Sequence, residues 1–190
     1  MHSEKLTAID ACSTSVVKGS PVSEVAVAEG MYEMTCVGAD GQIKWVETFP
    51  NTVVTVGKNY LLDSFFNGTV AGPWYMGLVD ATSFATPAAG DTLASHSPWL
   101  EYLNYTVSST NRATPSWNSA ASGSKATTST SFPITGAGGT VAGALMCTTL
   151  ARNTASNGGA GILYSAGAFT GGNRAVVSGD TLNVTYTASV

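Results

Sequence analysis

The chain has 190 residues, of which 44% are hydrophobic and only 11% charged, and its formal net charge is −4. Its eight Lys and Arg are scattered, so no basic stripe exists to neutralise phosphates, which argues against direct nucleic-acid binding. The length suits one domain that buries a core without disulfides, and the Ser, Thr, Asn and Gly that replace charge suit strands and tight turns better than exposed helices.

Residues 1–21 are weakly patterned and end at Pro21, and they read as an extended N-terminal arm. Residues 22–190 read as one β-sandwich domain. In MYEMTC, Tyr32, Met34 and Cys36 alternate with Glu33 and Thr35, the pattern of a half-buried strand. Asp40-Gly41 predicts a type I′ hairpin turn. Gln42–Thr48 is the returning strand, with Ile43 and Trp45 on one face. Asn51–Val56 predicts a third strand.

Over about 57–66 the pattern changes. Leu61 with Phe65, and Leu62 with Phe66, have i,i+4 spacing, so a short helix with one apolar face is predicted. Asn67-Gly68 supplies its stop. Two or three turns cannot stand alone. The helix is therefore expected to plug the sandwich, with Leu61 and Phe65 buried against the sheet.

WYMGLVD (Trp74–Asp80) reads as a buried strand and is followed by a long loop containing Pro87, Gly90 and Pro98. Further strands are predicted at Glu101–Val107, Arg112–Trp117, Thr127–Ile134, Gly161–Phe169 and Asp180–Ala188. Val141–Thr149 is apolar on both faces and reads as central. Strands at this spacing with Gly/Ser turns indicate an all-β, sandwich or jelly-roll-like fold with one short helix.

Cys12, Cys36 and Cys147 are odd in number and far apart, which gives neither a disulfide framework nor a metal-ligand spacing. Cys36 and Cys147 read as buried thiols. MHSEKLTAID lacks an apolar signal core and no stretch approaches a membrane span, so synthesis in a reducing cytoplasm and no membrane partner are expected. The three Asn-X-Thr triplets at Asn67, Asn104 and Asn183 then carry no meaning. From Tyr102 to Gly179 there is no Asp or Glu, only Arg112, Lys125, Arg152 and Arg174. That half reads as a neutral, hydroxyl-covered surface or, less simply, as a face for an acidic neighbour.

Candidate chemistry is sparse. Gly57-Lys58 ends like a phosphate loop, but Thr52 stands where the first Gly is needed and Asn59 where Ser or Thr is needed, so it reads as a helix start. His96, with Asp91 and Glu101 near in sequence, could form a carboxylate-oriented base. It reads more simply as a loop histidine bonded locally. Asp80, Asp91 and Glu101 could pair as acid and base only if folding brought them together. Ser165 lies in LYSAG rather than GxSxG. GAGG (136–139) and NGGAG (157–161) lack the helix and acidic residue of a dinucleotide site and read as turns. Trp74, Tyr75, Trp99, Tyr102, Tyr105 and Trp117 flank the long loop and could bind sugars or proteins if exposed. They otherwise serve as core and loop anchors. No catalytic, cofactor-binding or metal-ligating residue is assigned, and no cofactor is expected.

The blocks ADGQIKW, NTVVTVGKNYLLDSFF, WYMGLVD, GDTLASHSPWLEY and RAVVSGDTLNVTYTASV together resemble a group of small virion structural proteins of tailed bacteriophages, over about Gly30 to Val190. The resemblance implies a non-enzymatic decoration (cement) protein on the outer capsid surface, made in the host bacterial cytoplasm. Its implied partners are the major capsid protein and other copies of itself in a homotrimer. The alternative is a tail or fibre module that binds a receptor or glycan through the aromatic loop. A cell-wall hydrolase ranks third, because acid/base pairs and metal ligands are missing.

Overall fold

The computed structural model describes residues 27–68, 71–106, 111–152 and 160–190. The predicted arm at 1–21 and the first residues of the predicted domain lie outside the described residues. Among the described residues the fold is all-β with one short helix. Its longest strands are β1 (Glu29–Val37), β2 (Ile43–Val53), β7 (Gly139–Cys147) and β10 (Thr181–Ser189). Shorter strands are β3 (Tyr75–Asp80), β4 (Glu101–Tyr102), β5 (Ser124–Ala126), β6 (Thr130–Pro133), β8 (Leu163–Ala168) and β9 (Arg174–Val176), and the helix α1 is Thr55–Phe66.

The strands run β4-β3-β7-β8-β2-β1-β10-β5, with β6 also on β10 and β9 also on β7. All pairings are antiparallel. β2 joins the two halves: it pairs with β1 as far as Pro50 and with β8 from Asn51 to Val53. The inner faces of both halves share one core, in which Tyr32, Met34, Phe49 and Val184 meet Met76, Leu78, Ala144 and Met146. That is the layering of a sandwich. β7 is buried on both faces: a second cluster packs Leu145 and Cys147 under Trp99 and Leu93 of the 81–100 segment.

The β1–β2 hairpin forms where the alternation predicts it. Its turn differs: Gly41 has φ +78°, whereas Asp40 is not among the residues with positive φ. Gly41 N–H donates to Gly38 O (2.9 Å) and Gly38 N–H to Gln42 O (2.8 Å). A three-residue loop with Gly41 in the left-handed region replaces the predicted two-residue turn.

Three other expectations need correction. Asn51–Val56 is no separate strand, because 51–53 continue β2 and the helix begins at Thr55. Arg112–Trp117 makes only isolated bridges, such as Met76 with Ala113 and Trp117 with Thr127. The third concerns α1. It spans the predicted residues and ends at Asn67, with Gly68 at φ +67°. Leu61 is half-buried against the core, but Phe65 points to solvent, so the helix does not plug the sandwich as expected.

Candidate interaction surface

The sequence neighbours Asp91, His96 and Glu101 do not form one acid/base centre. His96 is buried and stacks on Trp99, with ring centroids 3.9 Å apart. Its Nδ1 lies 3.0 Å from the Trp99 carbonyl oxygen. A carbonyl only accepts, so Nδ1 carries the proton. Burial pulls the His96 pKa below the usual imidazole value, which keeps the ring neutral. Asp91 accepts from Trp99 Nε1 (2.8 Å) and from the Ala88 amide (2.9 Å). Glu101 instead receives a fork from Arg112, at 2.9 Å from Nε and 2.8 Å from Nη2. Arg112 Nη1 also donates to Thr149 O (2.6 Å). Asp91 and His96 therefore fasten the loop that covers the β3-β7-β8 face, and Glu101 ties β4 to the segment at Arg112.

The remaining candidates are equally committed. Ser165 is fully buried, 3.3 Å from the Tyr32 hydroxyl. Asp80 accepts from the Thr82 amide at 2.5 Å. Gly136 and Gly138 have positive φ in the turn between β6 and β7, and most of NGGAG lies outside the described residues. Burial pushes the Cys36 and Cys147 thiols up to about 11, which suits inert thiols. Among the described residues no group of three or more His, Cys, Asp or Glu could hold a metal ion. No helix among them is long and apolar enough to cross a membrane.

Sequence reading missed Asp180. It is buried and accepts from Lys44 Nζ (2.6 Å) and the Val177 amide (3.0 Å), and Cys36 Sγ lies 3.8 Å away. Burial opposes its charge, but these donors win and hold its carboxyl below the usual range. The only sequence signal was its place after Gly179 at the start of β10. The four cations of the acid-free half are also engaged: Arg112 with Glu101, Arg174 with Glu47, Arg152 with the Leu103 and Tyr105 carbonyls and the Tyr105 ring, and Lys125 with Asn118 O.

What stays uncommitted is apolar surface around α1. The helix is fixed at its start, where Val54 N–H donates to Tyr164 O (3.1 Å) and Thr55 N–H to Ala89 O (2.8 Å). Gly57 is its only fully buried residue. A Cβ there would strike the Tyr164 carbonyl, so the backbone of α1 rests directly on β8 at Gly57-Lys58, with no phosphate cradle. Tyr60 braces the next turn against Trp74 (centroids 5.7 Å apart, 83°) and accepts from the Gly72 amide (3.2 Å). The opposite face carries Leu62, Phe65 and Phe66, exposed by 55%, 81% and 74%. The two rings meet edge to face at 5.0 Å.

Hollows flank α1 on both sides, and both include Leu61. One, of about 460 Å³, runs between the helix and Val27, Ala28 and Val190, with Lys58 on its rim. The other, of about 430 Å³, is walled by Trp74, Trp117 and Tyr164 over Met146, with Lys125 as its one charged side chain. Of the six aromatics singled out from the sequence, only Trp74 and Trp117 line it. Trp99, Tyr102 and Tyr105 are core, and Tyr75 packs on the second cluster. Such a wall offers apolar contact and almost no hydrogen bonds, chemistry that suits protein side chains better than the hydroxyls of a sugar. No family model matches the chain, no curated protein matches it, and no solved structure matches it.

Proposed function

We propose that this chain is a non-enzymatic structural protein of a tailed-phage virion that decorates the outer capsid surface, where it contacts the major capsid protein and other copies of itself in a homotrimer. The observation that carries the reading is the Leu62-Phe65-Phe66 face, a concentrated apolar patch on a helix seated on rigid antiparallel sheets. Exposed patches of this kind mark protein–protein contacts. The polar groups most suggestive of chemistry, Asp91, His96, Glu101 and Ser165, are all used to hold the fold. The block resemblance over Gly30 to Val190 points the same way. Decoration spreads binding over many copies, so each contact can be modest.

A second reading, a tail or fibre module that binds a receptor or glycan, draws on the Trp74–Trp117 hollow. Antibody labelling of purified virions, made by the genome that encodes the chain, tests the two. Label over the head supports decoration. Label confined to the tail favours the second reading, and no label on any particle removes both.

A further inference from the structure

We infer that the hollow between Trp74 and Trp117 is a binding site for a small, flat aromatic molecule that carries one negative charge. This goes beyond the proposed function and does not rest on it. The hollow originates in the register of β10. Its core-facing series runs Leu182, Val184, Tyr186 and Ala188, so a methyl group stands where the series would otherwise place a bulky side chain. The space left measures about 430 Å³, within the range of small-molecule sites, about 300–1,000 Å³. Its walls are set before any ligand arrives. Trp74 is braced by Tyr60 (centroids 5.7 Å apart, 83°) and Tyr164 (5.2 Å, 59°), and Trp117 lies edge to face with Tyr186 at 6.3 Å. Such bracing lowers the ordering cost of binding.

The lining sets the chemistry of the ligand. Trp74, Trp117 and Tyr164 wall the hollow over Met146, so the face of a flat ring gains stacking and thioether contacts there. The sign of the charge comes from Lys125, the one charged side chain on the lining and the cross-strand neighbour of Ala188. Its Nζ donates to Asn118 O (2.9 Å), which holds the ammonium at the rim and leaves two N–H groups for an anion. The backbone separates a small molecule from a peptide. The strands around the hollow are paired on both sides: Ala188 lies between Gly30 and Lys125, Met146 between Met76 and Ser165, and Ala126 between Thr187 and the Asn118 amide. The main chain of an extended peptide would find no ladder to join there, whereas a discrete ring needs none.

The test is calorimetric titration of the full chain with two probes that share one ring system and differ in charge, 2-naphthoate and 2-naphthylmethylammonium. The wild type should bind 2-naphthoate at a single site, roughly tenfold more tightly than the cation, the contribution of one exposed charge that attracts the first probe and repels the second. Lys125→Glu, at an exposed position, should keep the site and reverse that order. Ala188→Leu fills the hollow and should weaken both probes at least tenfold, while Phe65→Glu, on the outer face of α1, should change neither. No saturable binding of 2-naphthoate, or the same order of affinities in Lys125→Glu, would overturn the inference even if Ala188→Leu fails to fold. Loss of binding in Phe65→Glu with Ala188→Leu unaffected would overturn it by moving the site to α1. Displacement of 2-naphthoate by maltose would overturn it in favour of a glycan site. Virion labelling reads a separate quantity, so either proposal can fail while the other stands.

Discussion

Gly57 on α1 lies against the main chain of Tyr164 on β8, so close that a methyl group in place of its hydrogen would collide with the Tyr164 carbonyl. This contact explains why the helix faces the way it does. A glycine lets the helix backbone approach β8, and Leu62, Phe65 and Phe66 are turned outward. Gly57→Ala would gain about 1 kcal/mol of helix propensity. It would lose more by overpacking against a backbone that cannot step aside, for a net loss of about 1–2 kcal/mol. Urea unfolding of the variant measures it; unchanged or increased stability would show that α1 does not rest on β8 in this way.

Leu61 and Phe65 are one turn apart and should respond oppositely to truncation. Leu61 is half-buried against the core, so Leu61→Ala should cost about 1–2 kcal/mol, below the range for a fully buried leucine. Phe65→Ser should stay within about 0.5 kcal/mol of wild type, as for an exposed site in a monomer. Both are measured under dissociating dilution, so that assembly does not contribute.

The Glu101–Arg112 fork is nearly removed from solvent. Arg112→Met takes the guanidinium away from a buried carboxylate and should cost about 3–5 kcal/mol. The double variant Glu101→Leu/Arg112→Met removes both charges and should recover most of that loss. Equal destabilisation of the single and double variants would mean that the pair is not what holds β4 and the 111–113 segment together.

Acid should release the Asp180 clasp. Its folded pKa lies below the ordinary carboxylate value, so its contribution is present above the unfolded value of about 4 and is lost as pH falls through the folded value. Asp180→Asn should lower stability at pH 7 and flatten the acid side of the stability curve below about pH 4. Denaturant midpoints at pH 7 and pH 3 provide the check. A variant that loses as much stability on acidification as the wild type would contradict the clasp.

Elements whose residues alternate against solvent were legible from the sequence. Tyr32, Met34 and Cys36 all face the core, and β7 is buried on both faces as its unbroken apolar run implied. The span of α1 was legible from its i,i+4 spacing, but its orientation was not. Periodicity says which residues share a face; it does not say which face the sheet covers. Gly57, which decided that, resembled a helix entry. β5 and β9, three residues each, are too short to show a period. Arg112–Trp117 failed as a strand because its backbone bridges to different partners one residue at a time, Ala113 to Met76 and Trp117 to Thr127, and Pro115 between them has no N–H to give a ladder. Asp180 was invisible because its meaning lies in Lys44 and Cys36, more than a hundred positions away.

A cryo-EM map of the virion made by the encoding genome tests the central claim most directly, because it places the chain and its exposed helix face at once. The account predicts density for this fold on the outer capsid surface, with Leu62, Phe65 and Phe66 each within about 4.5 Å of protein atoms of a neighbouring chain. The chain seated on the capsid with those three side chains open to solvent, or no such density on the particle, would contradict it.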